Sequence, residues 1–260
     1  MSAPSAAPSV ATRHPVVLVH GVLGFVRRTV SRLFSYAYFQ GVEEALAEAG
    51  VEVASIALPA TAGVEARARA LAGAVERLGG GKVNLVAHSM GGLDARWWIG
   101  RLGGHAKVAS LVTIGAPHRG TSVADWGARR VGSALSGWRL LREVGIDPTA
   151  FGDLTREACE ERNALLAGEP EVPTFSYGGA RPWWETAAPL LPSFRILQRA
   201  EGPNDGLVSV WSARFGEYRG TVPADHFAQT GWHWTAPGLQ RFDHRAFYLD
   251  VVGRLAEDGF

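Results

Sequence analysis

Ser89 stands among small residues, in the order Ala87-His88-Ser89-Met90-Gly91-Gly92. An apolar run over residues 83–87 precedes it and a helical run over 93–102 follows. A strand turning sharply into a helix holds a serine hydroxyl exposed above a sheet edge, and the crowded backbone demands small residues two positions before and after. Ala87 and Gly91 meet that demand, Ala87 where glycine is commoner. Such a hydroxyl can attack an acyl carbon, but it is a poor nucleophile at neutral pH. It needs a base within hydrogen-bond reach and a third group to orient the base.

On a strand-turn-helix scaffold of this kind the partners follow in the order serine, acid, histidine. His14, His20, His88, His105 and His118 come too early, which leaves His226, His233 and His244. His226 is favoured, because it sits in a polar loop, Pro223-Ala224-Asp225-His226, ahead of a closing helix. His244 falls within that helix and His233 lies between two tryptophans. The acid is expected at Asp205, in the loop Gly202-Pro203-Asn204-Asp205-Gly206 after a strand over 194–199. Asp225 is a poorer choice, since adjacent side chains diverge, and Asp243 comes too late. A tetrahedral intermediate needs two backbone N–H donors. They are expected at Met90, next to the nucleophile, and at Val22, in the loop after the first strand. His20, His88 and His118 read as braces of turns.

The elements that must position these residues alternate. Apolar runs over 15–20, 51–56, 82–87, 108–114 and 172–176 read as buried strands. Helical spacing marks 38–49, 62–78, 155–167 and a closing helix from Phe242 to Ala256. The pattern predicts an α/β fold with a mostly parallel, doubly wound sheet. Residues 1–14 read as a flexible N-terminal segment and 15–260 as one domain. An irregular insertion over 121–154 breaks the rhythm. It reads as a lid, with Trp126, Leu135 and Trp138 over a substrate pocket.

A chain of 260 residues with net charge +1 offers no electrostatic case for nucleic acid or an anionic membrane. The one cysteine, Cys159, excludes an internal disulfide, and its neighbours suggest an incidental place on a polar helix face. No apolar signal core stands at the N-terminus, so the chain reads as cytoplasmic, or as secreted with its leader removed.

Together the motifs resemble the Pseudomonas/Burkholderia-type bacterial lipases of the α/β-hydrolase superfamily. The resemblance rests on Pro15-Val-Val-Leu-Val-His-Gly, Tyr38-Phe-Gln-Gly-Val, the Arg67 helix, Lys82 through Leu93, Thr113 through Asp125, Leu154-Thr, Ser176-Tyr-Gly and Gly202-Pro-Asn-Asp-Gly-Leu-Val-Ser. It implies an α/β-hydrolase fold and a lidded triacylglycerol lipase or carboxylesterase. The triad would be Ser89, Asp205 and His226, with Val22 and Met90 as oxyanion donors and a lipid or ester as partner, met at a lipid–water interface. A phospholipase, acyltransferase, thioesterase or polyester depolymerase would use the same triad, and a catalytically inactive binding module is the alternative of another class. Whether a dedicated foldase is needed is left open. No organic cofactor is expected. The resemblance also implies a calcium site beside the histidine loop, but Ala228 replaces its aspartate and Trp232 its glutamine, leaving Glu185 as the remaining acidic candidate. Calcium is therefore not expected here, and Phe227, Trp232 and Trp234 are expected to anchor the loop against the closing helix instead.

Overall fold

The structure is a computed structural model that describes residues 11–24, 27–31, 34–132, 149–234 and 240–260. The strands are β1 (Val16–Val19), β2 (Arg27–Ser31), β3 (Phe34–Ala37), β4 (Val53–Ile56), β5 (Val83–His88), β6 (Val108–Ile114), β7 (Thr174–Gly179) and β8 (Glu217–Val222). The helices are α1 (Val42–Glu48), α2 (Val64–Leu78), α3 (Gly91–Arg101), α4 (Ser122–Gly132), α5 (Thr149–Gly152), α6 (Arg156–Leu166), α7 (Leu191–Ala200), α8 (Val210–Ala213) and α9 (His244–Glu257). Six strands form one sheet in the order β4-β1-β5-β6-β7-β8, every pair parallel. β2 and β3 form a separate antiparallel hairpin.

The central strands β1, β5 and β6 are buried along their whole length because both faces are covered. Val17, Val19, Leu85, Ala87 and Leu111 point to one side, where they meet Leu71 of α2 and Trp98 of α3. Val16, Leu18, Val86, Val112 and Ile114 alternate to the other side, against Leu46 of α1 and Tyr248, Val251 and Leu255 of α9. The period of two along each strand thus sorts side chains into two cores. Because all six strands run one way, their C-terminal ends share one edge, and the loops there are the natural place for a site.

Three expectations are corrected. Residues 194–199 lie in α7, not in a strand. Phe194 and Leu197 are buried at helical spacing while Arg195 and Gln198 are exposed, and proline stands at the helix start, where its missing N–H costs nothing. The late strand is instead β8, whose mixed sequence EYRGTV suits an edge rather than a core. Cys159 is buried, its thiol against the carbonyls of Pro117 and Asp153, rather than on a polar face. The start of the insertion is regular: α4 covers Ser122–Gly132, with Trp126 exposed beneath the Arg130 guanidinium. Leu135 and Trp138 lie outside the described residues, as do residues 1–10 of the N-terminal segment.

Candidate active site

Ser89 occupies the turn between β5 and α3 with φ 57, a left-handed conformation that a serine adopts at a cost. The crowding behind it is measurable. A methyl group at Gly91 would lie 2.8 and 2.9 Å from the carbonyls of Val19 and His20. At Gly21 it would lie 2.7 Å from Ser89 Cβ and 2.9 Å from the Tyr38 hydroxyl. Glycine is required at both positions so that the loop after β1 can press against the serine.

His226 Nε2 lies 3.0 Å from Ser89 Oγ, and its Nδ1 lies 2.8 Å from Asp205 Oδ2. All three residues are buried. The His226 backbone N–H also donates to the Asp205 carbonyl at 2.8 Å, so the two loops are joined through main chain as well. Asp205 is full of donors. Its Oδ1 accepts from the N–H groups of Leu207 and Val208, and its Oδ2 accepts from His226 and from Gln229 Nε2 at 2.8 Å. Four accepted hydrogen bonds fix the carboxylate in place. It can only accept, so His226 Nδ1 carries the proton and Nε2 presents its lone pair to the serine hydroxyl.

Behind this line lies a second one that the sequence did not reveal. Gln229 points its nitrogen at Asp205, so its oxygen faces His88 Nε2 at 3.2 Å. His88 therefore donates through Nε2 and accepts through Nδ1 from the Tyr38 hydroxyl at 2.7 Å. Burial holds the His88 ring well below the usual histidine range, and the neighbouring His226 pushes the same way. Its ring centroid is 4.5 Å from that of His226. Burial likewise raises the Tyr38 hydroxyl well above its ordinary range, so it remains a donor. Polar residues at 38 and 229 flanking a hydrophobic core were the available signal. No spacing rule links them.

The loop after β1 is braced from two sides. His20 Nδ1 donates to the Gly21 carbonyl at 2.8 Å and Nε2 accepts from the Leu58 N–H at 3.0 Å. Burial lowers this ring to about 4, so it stays neutral. The fully buried Arg67 donates to the carbonyls of His20 and Pro59 and pairs with Asp94 at 2.9 Å. Burial pushes the Asp94 carboxyl up while Arg67 pulls it down. Among the described residues, the N–H groups of Val22 and Met90 have no hydrogen-bond acceptor. Met90 caps the N-terminal end of α3, where the helix dipole favours negative charge. His118 is a brace as expected, bonded to Thr113 and approached by Arg96.

The histidine loop is anchored by polar groups, and Trp234, expected to bury in an aromatic anchor, is exposed instead. Phe227 and Trp232 are half-buried and meet Trp234 through tilted and edge-on ring contacts, and Trp232 donates to the Tyr38 carbonyl. Asp225 does not reach the imidazole. Its carboxylate accepts from the N–H groups of Ala187, Phe227 and Ala228. Arg181, at the end of β7, donates to the carbonyls of Pro223, Glu185 and Gln240. Among the described residues no group of three or more His, Cys, Asp or Glu could hold a metal ion. No described helix is long and apolar enough to cross a membrane. A cavity of about 700 Å³ lies between α4, α6 and α8, lined by Arg119, Asp125, Arg129, Arg156, Glu160 and Trp211. Neither Ser89 nor His226 lines it, and its charges do not suit an acyl chain.

This arrangement can move a proton from Ser89 Oγ to His226 Nε2 while Oγ attacks an acyl carbon. Comparisons with known proteins agree with that chemistry. A sequence model of the palmitoyl protein thioesterase family matches residues 15–142. The chain is 32% identical to triacylglycerol lipase 2 of Saccharomyces cerevisiae over 88% of its own length and 76% of the relative's. It is 28% identical to a triacylglycerol lipase of Pseudomonas fragi over 96% and 99% of the two chains. Its structure is similar to the mature lipase BlEst2 of Bacillus licheniformis, with a TM-score of 0.68 and 25% identity over 86% and 89% of the two chains.

Proposed function

The chain belongs to the triacylglycerol lipase family and is a serine hydrolase of carboxylic esters; from that premise we infer that Ser89, His226 and Asp205 carry the reaction and that acylglycerols are its substrates. The observation that carries the reading is the unbroken line from Ser89 Oγ through His226 to a carboxylate saturated with donors. His226 takes the serine proton as Oγ attacks the ester carbonyl. The N–H groups of Val22 and Met90 receive the oxyanion. The intermediate collapses, His226 protonates the leaving alcohol, and an acyl-Ser89 remains. Water, deprotonated by the same imidazole, then releases the acid. Asp205 holds the tautomer throughout. No organic cofactor enters this cycle.

Lipid enters from the edge formed by the C-terminal ends of the strands. Leu23 after β1, Trp183 and Trp184 after β7, and Trp234 beyond β8 are each more than half exposed on loops of that edge. Exposed tryptophans suit an interface where one end is apolar and the other wet. Trp126 on α4 would belong to a lid that opens there. The test is a series of p-nitrophenyl esters of rising chain length beside a triglyceride emulsion and a palmitoyl thioester, with Ser89 labelled by a fluorophosphonate. Labelling with turnover of long-chain acylglycerols supports the reading. Preference for the thioester or for short soluble esters overturns the substrate, and absence of labelling overturns the mechanism.

A further inference from the structure

We propose that Arg181 is a positioning residue that holds the acid and histidine loops in register, its guanidinium doing in this chain what a divalent cation would do by bridging backbone carbonyls. The inference rests on the hydrolase reading above, since it concerns the aim of His226. Arg181 stands where β7 ends, between the two loops. Its own backbone N–H points to the Asn204 carbonyl at 3.4 Å, one residue before Asp205. Its side chain is 4% exposed and reaches the other way. Nε donates to the Pro223 carbonyl at 2.6 Å, three residues before His226, and Nη2 donates to the Gln240 carbonyl at 2.9 Å. Nη1 lies 3.4 Å from the Glu185 carbonyl. A planar fork with fixed donors can tie three separate segments at once, which a lysine cannot do.

The space beside this fork is already filled. A methyl group at Gly179 would lie 2.2 Å from Gln229 Nε2, 2.6 Å from the Ala224 carbonyl and 3.1 Å from Asp205 Cβ. The end of β7 is thus a wedge between the loops, and Arg181 closes it. Asp225 completes the tie by accepting from Ala187 across the gap.

The calcium site implied by resemblance does not fit these residues. Calcium wants six to eight oxygens, several of them carboxylates. Ala228 is buried and offers no carboxylate, and the Trp232 side chain only donates. The carbonyls of Pro223, Glu185 and Gln240 face a guanidinium, whose charge repels a second cation.

The test is steady-state hydrolysis of a short soluble ester by the parent, Arg181→Ala and Arg181→Lys, each with added calcium, EGTA or millimolar methylguanidinium. Activity of the parent tests the hydrolase reading separately, because both variants are judged only as ratios to it. Arg181→Ala is expected to lose about tenfold to a hundredfold in kcat with KM nearly unchanged, as a misaimed base does. Methylguanidinium should restore part of that loss and calcium none. Arg181→Lys, which keeps the charge and fits the cavity if the alanine variant fails to fold, should fall between the two. Parental kcat in either variant, a loss confined to KM or to melting temperature, or recovery by calcium would overturn the proposal.

Discussion

Gln229 donates its side-chain N–H to Asp205 across 2.8 Å, and to the same carboxylate oxygen that accepts from His226. The amide therefore sets the direction of the carboxylate, while its own oxygen fixes the tautomer of His88. Gln229→Ala is expected to lower kcat by roughly tenfold with little change in KM, since a partner that orients a catalytic group costs about that much. Gln229→Glu should be worse. Two carboxylates at hydrogen-bond distance cannot both be ionised, so its activity relative to the parent should decline as the pH of the assay rises. Equal pH profiles for the two proteins would show that the amide does not steer Asp205.

Ser89→Ala and His226→Ala should each abolish acyl-enzyme formation, and the double variant should lose little beyond either. Members of such a set act as one unit. Asp205→Asn should keep the fold but cost up to ~10⁴ in kcat through the wrong imidazole tautomer. Additive losses in the double variant would show that the three residues work independently.

Arg67 and Asp94 are both fully buried and 2.9 Å apart. Arg67→Met removes one partner and leaves a buried carboxylate, with the His20 carbonyl unbonded. It should cost about 3–5 kcal/mol in urea-monitored stability. The double change Arg67→Met with Asp94→Leu should recover most of that stability. It should not recover the full kcat, because the loop bearing Val22 has lost its clamp. Recovery of both would assign the pair to stability alone.

Acid should destabilise the protein through buried neutral histidines. His20 titrates at about 4 when folded, against an ordinary value near 6.5, and His88 and His118 are shifted the same way by burial. The unfolded chain binds more protons between those two values, so stability is full above pH 6.5 and declines as pH falls toward 4. His20 alone accounts for roughly 3 kcal/mol over that window. Urea midpoints at intervals of pH measure it, and a flat profile between pH 6.5 and 4 would contradict the burial argument.

The core strands and the turn bearing Ser89 were legible because each follows from a local rule. β6 is bounded by its apolar run, Val108–Ile114, and Gly91 announces itself by spacing from Ser89. What was hidden depends on distant contacts. The stretch 194–199 alternates well enough to pass for a strand, and only the packing of Phe194 and Leu197 makes it α7. Cys159 has polar neighbours in sequence and apolar ones in space. Gln229, Tyr38 and Arg181 carry no pattern, because hydrogen bonds between residues 42, 50 or 141 apart in the chain leave no periodicity behind.

The strand order has a consequence for how the protein comes off the ribosome. From β1 outward the sheet runs β1-β5-β6-β7-β8, in the order of synthesis. Domains emerge from their N-terminal side first. The central strands and the turn bearing Ser89 can therefore settle while the rest is still being made. The acid loop arrives next to last, and His226 only after the outermost strand has docked. A nascent chain thus exposes Ser89 with no imidazole beside it until the loop bearing His226 has followed.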